Sequence, residues 1–343
     1  MKPIRIAQIG MNRYSHAPEI FYTMKIHPEL FELVGYALVE DERETCADKL
    51  KWFEGYPELT LDEILNDPTI EAVTVETDEI HLTKYALLSA AHGKHIHMEK
   101  PGSQKLDDFE RLIEAVKKNG KVFHVGYMYR YNPLISKAIR RAKAGEFGTV
   151  YSVEAHMSRL DSKTTREWFN SFKGGMMFYL GCHLIDLVLQ IQGEPTEVIP
   201  LNTHTCLDGV DTEDLGFAVL KSPNAISVIR MGGTEVGGFR RRQLVICGSK
   251  GTLEIRPLEA SIPEAEHGKF HLYTESSEYS LKNGTKPEHI CEKSEPFQRY
   301  EAMLEAFSKM VRGEKENPYT ADYELQLYKV ILRCCGIDVT DRK

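Results

Sequence analysis

The sequence predicts an α/β protein with two domains. An N-terminal doubly wound parallel sheet is expected at residues 1–125, and an α/β domain with a mostly antiparallel sheet at residues 126–343. In the first domain short apolar runs alternate with helical patterns, as in βαβ units. In the second, several strand patterns follow one another directly, with turn signals between them. The length, 343 residues, suffices for two domains that each bury a core.

In the first domain, strands and helices are predicted in alternation. Apolar runs indicate the strands, and apolar residues at helical spacing indicate the helices. Gly93 and Gly120 follow two of these helices, where glycine favours a helix end. Right-handed crossovers between parallel strands then give a doubly wound sheet. The predicted strands are 4–9, 31–39, 70–75, 95–98 and 122–127, and the predicted helices are 18–27, 41–52, 61–66, 81–92 and 106–118.

The second domain has a different pattern. Helices at its start and end flank a run of strands, and a loop rich in small and polar residues is predicted at 168–175. The predicted helices are 133–144, 176–192, 296–312 and 320–335, and the predicted strands are 150–156, 197–202, 213–221, 225–231, 241–246, 252–256 and 270–273.

Composition narrows the partners and the compartment. The net charge is -8, the pI is about 5.9 and no long basic run occurs, which argues against nucleic acid and anionic membranes as partners. The seven cysteines are scattered and contain no Cys-x-x-Cys pair, as expected of reduced thiols in the cytoplasm. The chain starts directly with a predicted strand, so we expect neither a signal peptide nor a transmembrane segment.

A lysine follows the fourth predicted strand, in the segment HIHMEKP at residues 95–101. Pro101 lacks an N–H group, so the strand is expected to end before it. Lys100 would then lie at the carboxyl end of a strand, the edge where open α/β sheets bind ligands. The alternative is a solvated lysine with no role in chemistry.

The turn after the first strand is where a dinucleotide would bind. It reads GMNRYS at residues 10–15, so only Gly10 of the Gly-x-Gly-x-x-Gly fingerprint is present. Asn12 tolerates positive φ, and Ser15 is small enough for close packing, so the turn is expected to persist. We therefore expect Gly10, Asn12 and Arg13 to contact the cofactor.

An acidic residue normally binds the ribose hydroxyls at the end of the second strand. Here Leu38 takes that position, and Glu40 comes two residues later. The charge of Glu40 would repel a 2′-phosphate, which favours NAD, with NADP as the alternative.

A second group of polar side chains lies on the predicted helix 176–192. Tyr179, His183 and Asp186 are spaced by four and three residues and so share one helix face. The alternative is that Tyr179 and His183 are interior residues and Asp186 is solvated. A metal site that includes Cys182 is not expected, because Cys182 points about 100° away from His183.

Several stretches, in this order, resemble the Gfo/Idh/MocA family of nicotinamide-dependent oxidoreductases. The matching segments are HIHMEKP at 95–101, YRYNP at 129–133, GG at 174–175, GCHLID at 181–186 and GSKGTL at 248–253. The resemblance implies a Rossmann domain followed by an α/β domain with a large open-faced, mostly antiparallel sheet. It also implies NAD(P), a sugar-like or polyol substrate bound between the domains, and a homodimer or homotetramer.

The resemblance also implies roles for individual residues. Lys100 falls on the family's active-site lysine and His183 on its catalytic histidine. Thr77 falls on the threonine of a Thr-Pro-Asn segment near the cofactor. Glu99 and Pro101, which flank Lys100, are expected to contact the cofactor as well. Two departures stand out: the Thr-Pro-Asn segment reads TDE at 77–79, and Tyr179 replaces an Asp.

These assignments lead to a mechanistic hypothesis. His183 would accept the hydroxyl proton of an alcohol, because the ordinary pKa of a histidine side chain, about 6.5, suits proton transfer at neutral pH. Lys100 would stabilise negative charge on the oxygen, and Tyr179 would orient the substrate or act as an alternative acid. Arg130 and Trp168 are expected to line the same cleft. The alternatives are a ligand-binding or regulatory protein with weakened cofactor binding, and a lyase or hydrolase that uses NAD without net redox change.

Overall fold

The computed structural model describes residues 2–14, 16–262, 271–281 and 286–339. The chain forms two compact units. The first comprises Met1–Tyr127 with Tyr300–Leu325, and the second comprises Met128–Arg299 with Gln326–Lys343. The predicted fold class is confirmed, since a parallel sheet is followed by a large, mostly antiparallel one.

The first unit is built on a parallel five-stranded sheet with strand order β2-β1-β3-β4-β5. Its strands are β1 (Ile4–Ile9), β2 (Phe31–Ala37), β3 (Ala72–Val75), β4 (His95–Met98) and β5 (Phe123–Val125). Its first helices are α1 (Ala17–Ile26), α2 (Glu42–Thr45), α3 (Leu61–Asn66), α4 (Leu82–Ala91) and α5 (Leu106–Asn119), with a 3₁₀ helix at Ala47–Phe53.

The segment after β2 differs from the prediction of a single helix at 41–52. It forms the short α2 and the 3₁₀ helix instead. Side chains on this segment bond back to neighbouring loops: the Glu42 carboxylate accepts from the Val39 N–H at 2.8 Å, and the Cys46 thiol donates to the Met11 carbonyl at 2.9 Å. These tertiary hydrogen bonds override the helical pattern.

The strand order creates one crevice at the carboxyl edge of the sheet. From β1 the chain passes to β2 on one side and later to β3 on the other side. The order of the strands therefore reverses between β1 and β3, and such a switch point is where open α/β sheets bind ligands.

The second unit contains an eight-stranded sheet with order β15-β14-β11-β10-β6-β9-β8-β7, in which only β6 and β9 pair in parallel. Its helices are α6 (Pro133–Lys143), α7 (Lys163–Trp168) and α8 (Cys182–Gln192). The large sheet has β6 (Val150–Ser158), β7 (Glu197–Pro200), β8 (Leu215–Ser222), β9 (Ala225–Gly232), β10 (Gln243–Gly248), β11 (Gly251–Ile255), β14 (Glu275–Ser280) and β15 (Glu288–Lys293), and a small sheet has β12 (Ala260–Ser261), β13 (His271–Tyr273) and β16 (Phe297–Gln298).

Three parts of the second unit differ from the sequence prediction. Helix α7 was not predicted and ends where the predicted loop 168–175 begins. Strands β14 and β15 were not predicted, because they read ESSEYS and EHICEK and lack an apolar alternation. The strand predicted at 270–273 is described from His271 onward, and Phe270 lies outside the described residues.

The C-terminal helices are α9 (Glu301–Val311) and α10 (Ala321–Cys334). The sequence prediction placed this whole segment in the second domain, whereas Tyr300–Leu325 belongs to the first unit. Phe307 of α9 is fully buried there, with its ring stacked on His124 at a centroid distance of 5.6 Å. The amphipathic pattern predicts that such a helix is packed, but not which sheet it packs against.

Candidate active site

The turn after β1 brings Gly10 against Thr77, which follows β3. Gly10 has φ +89°, and a Cβ at this position would lie 2.7 Å from the Cβ of Thr77. Both the conformation and the space therefore require glycine. The one fingerprint glycine that this sequence retains lies at the switch point of the sheet.

Asn12 holds the rest of this turn through hydrogen bonds. The turn does not use the tolerance of asparagine for positive φ, since Asn12 is not among the described residues with φ > 0. The Asn12 amide instead donates to the Thr77 carbonyl at 3.3 Å and to Oε2 of Glu79 at 2.7 Å. The Lys49 ammonium donates to the carbonyls of Asn12 and Arg13. Side-chain hydrogen bonds thus hold this turn in place in a sequence that lacks the other two fingerprint glycines.

The remaining predicted cofactor residues lie at the rim of this edge. Arg13 is exposed, and Ser15 lies outside the described residues. Glu40 has φ 52° and accepts hydrogen bonds from the Lys84 ammonium at 2.6 Å and the Tyr85 hydroxyl at 2.7 Å. These bonds lower the pKa of Glu40 below its ordinary value, so it is a carboxylate at neutral pH.

Lys100 is buried at the carboxyl end of β4, with 4% of its surface exposed. The preceding Glu99 still continues the ladder, because its N–H donates to the Val75 carbonyl at 2.9 Å. The Lys100 ammonium lies 3.3 Å from Oε1 of Glu99 and 3.8 Å from Oε1 of Glu79. The alternative of a solvated lysine is wrong, because this ammonium is enclosed among carboxyl groups.

Two further carboxyl groups, Glu76 and Glu79, are fully buried after β3. Burial raises the pKa of Glu79 to about 8, against the opposing effect of Lys100. Burial, and then the nearby Glu99, raise the pKa of Glu76 well above its ordinary value. Glu79 is therefore mainly protonated at neutral pH, and the raised pKa of Glu76 acts in the same direction, so burial reduces the negative charge that these two carboxyl groups bring to the site.

Two buried histidines, His97 of β4 and His124 of β5, lie next to this cluster. Nδ1 of His97 and Nδ1 of His124 are 2.7 Å apart, so one ring donates to the other. Burial lowers the pKa of His97 to about 3, which leaves its ring neutral. The Nε2 atom of His97 is 3.8 Å from Oε1 of Glu76, beyond hydrogen-bond distance.

In the second unit, Tyr179 lies on a π-helical turn, Met177–Gly181, that leads into α8. The regular helix predicted at 176–192 is therefore interrupted at its start, a feature frequent at functional sites. The Gly174-Gly175 pair before it permits a close backbone approach, since a Cβ on Gly175 would lie 2.2 Å from the Glu213 carbonyl oxygen.

His183 lies in the first turn of α8 and is 3% exposed. The Tyr129 ring meets it edge-on at a centroid distance of 5.5 Å. The Tyr129 hydroxyl lies between Glu259 at 3.3 Å and the Arg242 guanidinium at 3.4 Å. Burial raises the pKa of the Tyr129 hydroxyl, which makes it a neutral wall of the His183 pocket.

Asp186 is not solvated, in contrast to the alternative considered from the sequence. It is 1% exposed and accepts two hydrogen bonds from Arg130, at 2.8 Å from Nη2 and 3.0 Å from Nε. Gln190, one turn further along α8, donates to the same carboxylate at 2.8 Å. This geometry favours a structural role for Arg130, and its contact with substrate stays a prediction.

Tyr179 is surrounded by aromatic rings and one guanidinium. Trp168 meets it edge-on at 5.0 Å, and Phe169 lies 5.7 Å away. The Arg159 guanidinium lies 5.3 Å from the ring centroid and pairs with Asp161. Arg159 is the cation that the second unit places beside the Tyr179 phenol.

Sequence reasoning missed Glu76 and Glu79 as parts of the site. Their signal was present, because β3 reads AVTV and continues directly into ETDE. A carboxyl group that directly follows a strand buried on both faces is expected to be buried as well. Because a buried acid needs a partner, the pairing of these acids with a cation was predictable.

The buried acids predict a pH dependence of stability. Burial raises the pKa of Glu42 to about 7, so the folded protein keeps a proton that the unfolded chain loses above about pH 4.5. The contribution of Glu42 to the free energy of unfolding therefore falls as the pH rises toward 7. We expect Glu42→Gln to stabilise the protein by an amount that grows to about 2 kcal/mol at pH 7. Urea unfolding at several pH values measures it.

The exposed Glu63 provides a control of opposite sign. Its carboxylate accepts from the Thr60 N–H in a capping box, and this bond lowers the pKa of Glu63. Its stabilisation is present above pH 4.5 and is lost as the pH falls, so Glu63→Gln should destabilise. A pH-independent effect of Glu42→Gln would contradict the prediction.

Comparisons with known proteins place this geometry in an enzyme class. Residues 4–127 match the model of an oxidoreductase family with an NAD-binding Rossmann fold. Residues 135–254 match the model of the GFO/IDH/MocA C-terminal domain. The protein is an NAD(P)-binding oxidoreductase. It belongs to the Gfo/Idh/MocA family, as the sequence resemblance predicted.

Individual relatives are similar over part or most of the chain. The scyllo-inositol 2-dehydrogenase (NAD(+)) of Bacillus subtilis is 37% identical over 142 residues, 41% of this chain and 40% of its own. The myo-inositol 2-dehydrogenase of Thermotoga maritima is 25% identical over 263 residues, 73% of this chain and 74% of its own.

Solved structures share the fold. The aldose-aldose oxidoreductase of Caulobacter crescentus, complexed with glycerol, superposes with a TM-score of 0.76 at 20% identity over 97% of this chain and 98% of its own. Levoglucosan dehydrogenase, complexed with NADH and levoglucosan, gives a TM-score of 0.76 at 17% identity over 97% of both chains.

The first unit fits the family's cofactor. Gly10 lets the turn after β1 approach Thr77 closely at the switch point of the sheet, where a dinucleotide binds in this fold, and Oε1 of the buried Glu79 has no hydrogen-bond partner among the described residues. Within those residues, no group of three metal-binding side chains occurs, and no helix is long and apolar enough to cross a membrane.

Proposed function

We propose that the protein transfers a hydride between NAD(P) and a hydroxyl or keto group of a sugar, a polyol or a related compound. The observation that carries this proposal is Lys100, buried among carboxyl groups beside the Gly10–Thr77 crevice. The relatives named as inositol dehydrogenases support a polyhydroxylated substrate.

In this proposal each polar side chain has one task. NAD(P)⁺, when bound, accepts the hydride from the alcohol carbon. The Lys100 ammonium stabilises the negative charge that develops on the oxygen, and His183 accepts the hydroxyl proton. Tyr179 orients a substrate hydroxyl, with the Arg159 guanidinium beside its ring. Trp168 contributes an apolar wall of the kind that packs against the C–H face of a sugar ring.

The cofactor is proposed to contact Gly10, Asn12, Arg13 and Thr77, with Glu99 and Pro101 bordering the nicotinamide side. Glu40, which is ionised, is proposed to favour NAD over NADP. Because Glu40 already pairs with the exposed Lys84, this preference is expected to be modest.

We also propose a cytoplasmic homodimer or homotetramer. All seven cysteines are free, as in a reducing compartment. One face of the large sheet carries Ile199, Val219 and Val228 in register on the neighbouring strands β7, β8 and β9, and these side chains are only partly buried. The exposed Glu154 of β6 follows them in the same row. The short apolar row, with an acid at its edge, supports association through this face.

Two experiments test the proposal. The purified protein is titrated with NADH and with NADPH while nicotinamide fluorescence is recorded, and turnover is measured on a panel of inositols and aldoses. We expect binding of both cofactors and NAD(P)-linked oxidation of at least one panel member. No binding at about millimolar cofactor would favour a ligand-binding or regulatory protein. NAD that stays bound through purification, without net redox turnover, would favour a lyase or hydrolase.

A further inference from the structure

Glu79 lies beside the reactive lysine and has no role in the mechanism so far. We propose that Glu79 is a positioning residue that keeps a proton while the Lys100 ammonium acts, and that its ionisation weakens the ammonium's stabilisation of the reacting oxygen. This inference rests on the proposed function.

The two oxygens of Glu79 have different neighbours. The Asn12 amide donates to Oε2 at 2.7 Å, so Oε2 acts as an acceptor. Oε1 has no hydrogen-bond partner among the described residues and lies 3.8 Å from the Lys100 ammonium, beyond hydrogen-bond distance. The interaction between Glu79 and Lys100 is therefore electrostatic, and the charge on the Glu79 carboxyl group decides its strength.

Burial is the main reason why Glu79 holds a proton, and the charges around its carboxyl group act in both directions. Lys100 and Glu99 face it from the end of β4, and Asp78 and Glu76 lie on its own segment. Glu19 of α1 acts on the same cluster through Glu76. One ammonium thus faces several acids in a buried space, and the nearer Glu99 at 3.3 Å takes the role of counterion. The pKa of about 8 for Glu79 agrees with this arrangement.

The consequence concerns charge rather than proton transfer. The hydroxyl proton passes to His183 and the hydride to NAD(P)⁺, while Glu79 keeps its own proton throughout. When Glu79 ionises at alkaline pH, a second negative charge lies 3.8 Å from the ammonium. The positive potential that Lys100 exerts on the substrate oxygen then falls, and kcat falls with it.

Two variants of Glu79 test this inference by their pH profiles. Glu79→Gln keeps an oxygen that accepts from Asn12, and Glu79→Asn introduces the residue of the family's Thr-Pro-Asn segment. We expect the ratio of variant to wild-type kcat to be constant below about pH 7 and to rise about fivefold by pH 9.5. The cofactor KM should change less than about twofold, because the charge acts on the reacting oxygen. A ratio that stays flat for both variants would overturn the inference.

Glu42→Gln is the matched control. Glu42 is also a buried acid with a raised pKa in the first unit, but Lys100 is not among the groups that shift it. Its kcat ratio to wild type should be flat over the same pH range. A rise equal to that of the Glu79 variants would assign the effect to general electrostatics, which also overturns the inference.

A measurement without turnover separates this inference from the proposed function. Acylation of Lys100 by acetic anhydride, followed by mass spectrometry of its peptide, reports how readily its ammonium loses a proton. At about pH 9.5 we expect acylation at least threefold faster in Glu79→Gln than in wild type, because ionised Glu79 stabilises the ammonium. Equal rates would overturn the coupling. A rate difference without oxidation of any substrate would overturn the proposed function alone.

Discussion

Lys100→Met is expected to lower kcat by about 10³-fold or more while the protein stays folded. Methionine has a similar length and packs in an apolar or enclosed space, but it offers no charge to the reacting oxygen. The loss of the ammonium removes the cation that lies 3.3 Å from Oε1 of Glu99. Steady-state kinetics and circular dichroism of the same preparation measure both parts of the prediction.

Lys94→Met is the matched control for this experiment. Lys94 is a second buried lysine, located just before β4 at the opposite end of the strand, and its ammonium donates to the carbonyls of Asp67 and Ile70. Its replacement should lower stability and leave kcat within about threefold of wild type. Full activity in Lys100→Met would rule out the assignment of Lys100 as a catalytic residue.

The fold of the first unit follows from local sequence signals. β1 and β4 lie at the predicted residues, because each is a short apolar run limited by Gly10 or by the Glu99–Pro101 segment. Each signal depends on neighbours in sequence, and burial on both faces of a parallel sheet reinforces it. The edge that carries Lys100 was predictable for the same reason.

Contacts distant in sequence account for what the sequence did not predict. Asn12 was expected to act through its backbone, whereas its side chain bonds to Thr77 and Glu79, more than sixty residues away. Likewise, the amphipathic α9 carries Phe307 into the first unit, a choice that its own residues do not encode. Pairings of this kind depend on the assembled sheet.

The polar face of the helix that carries His183 was likewise only partly predictable from the sequence. Helical spacing predicted Tyr179, His183 and Asp186 together as candidate catalytic residues on one face. The π-helical turn changes the phase between Tyr179 and α8, and Asp186 is committed to Arg130. A side chain's partner, rather than its helix face, therefore separates the catalytic candidates from the structural ones.

This distinction predicts a large effect for Asp186→Ala. The variant leaves the fully buried Arg130 guanidinium without the carboxylate that it now meets through two hydrogen bonds. Gln190 loses the same acceptor. We expect the free energy of unfolding to fall by about 3–5 kcal/mol, because an uncompensated charge in the interior is costly. The urea midpoint of the full chain measures the loss.

The double variant Arg130→Met with Asp186→Leu distinguishes the two roles considered for Arg130. If the pair is structural, apolar side chains of similar volume should recover most of the stability, and kcat should recover with it because α8 again holds His183 in place. If Arg130 binds substrate, the double variant should recover stability but keep a raised KM. Recovery of both stability and KM would therefore remove Arg130 from the binding site and leave it as the residue that anchors α8.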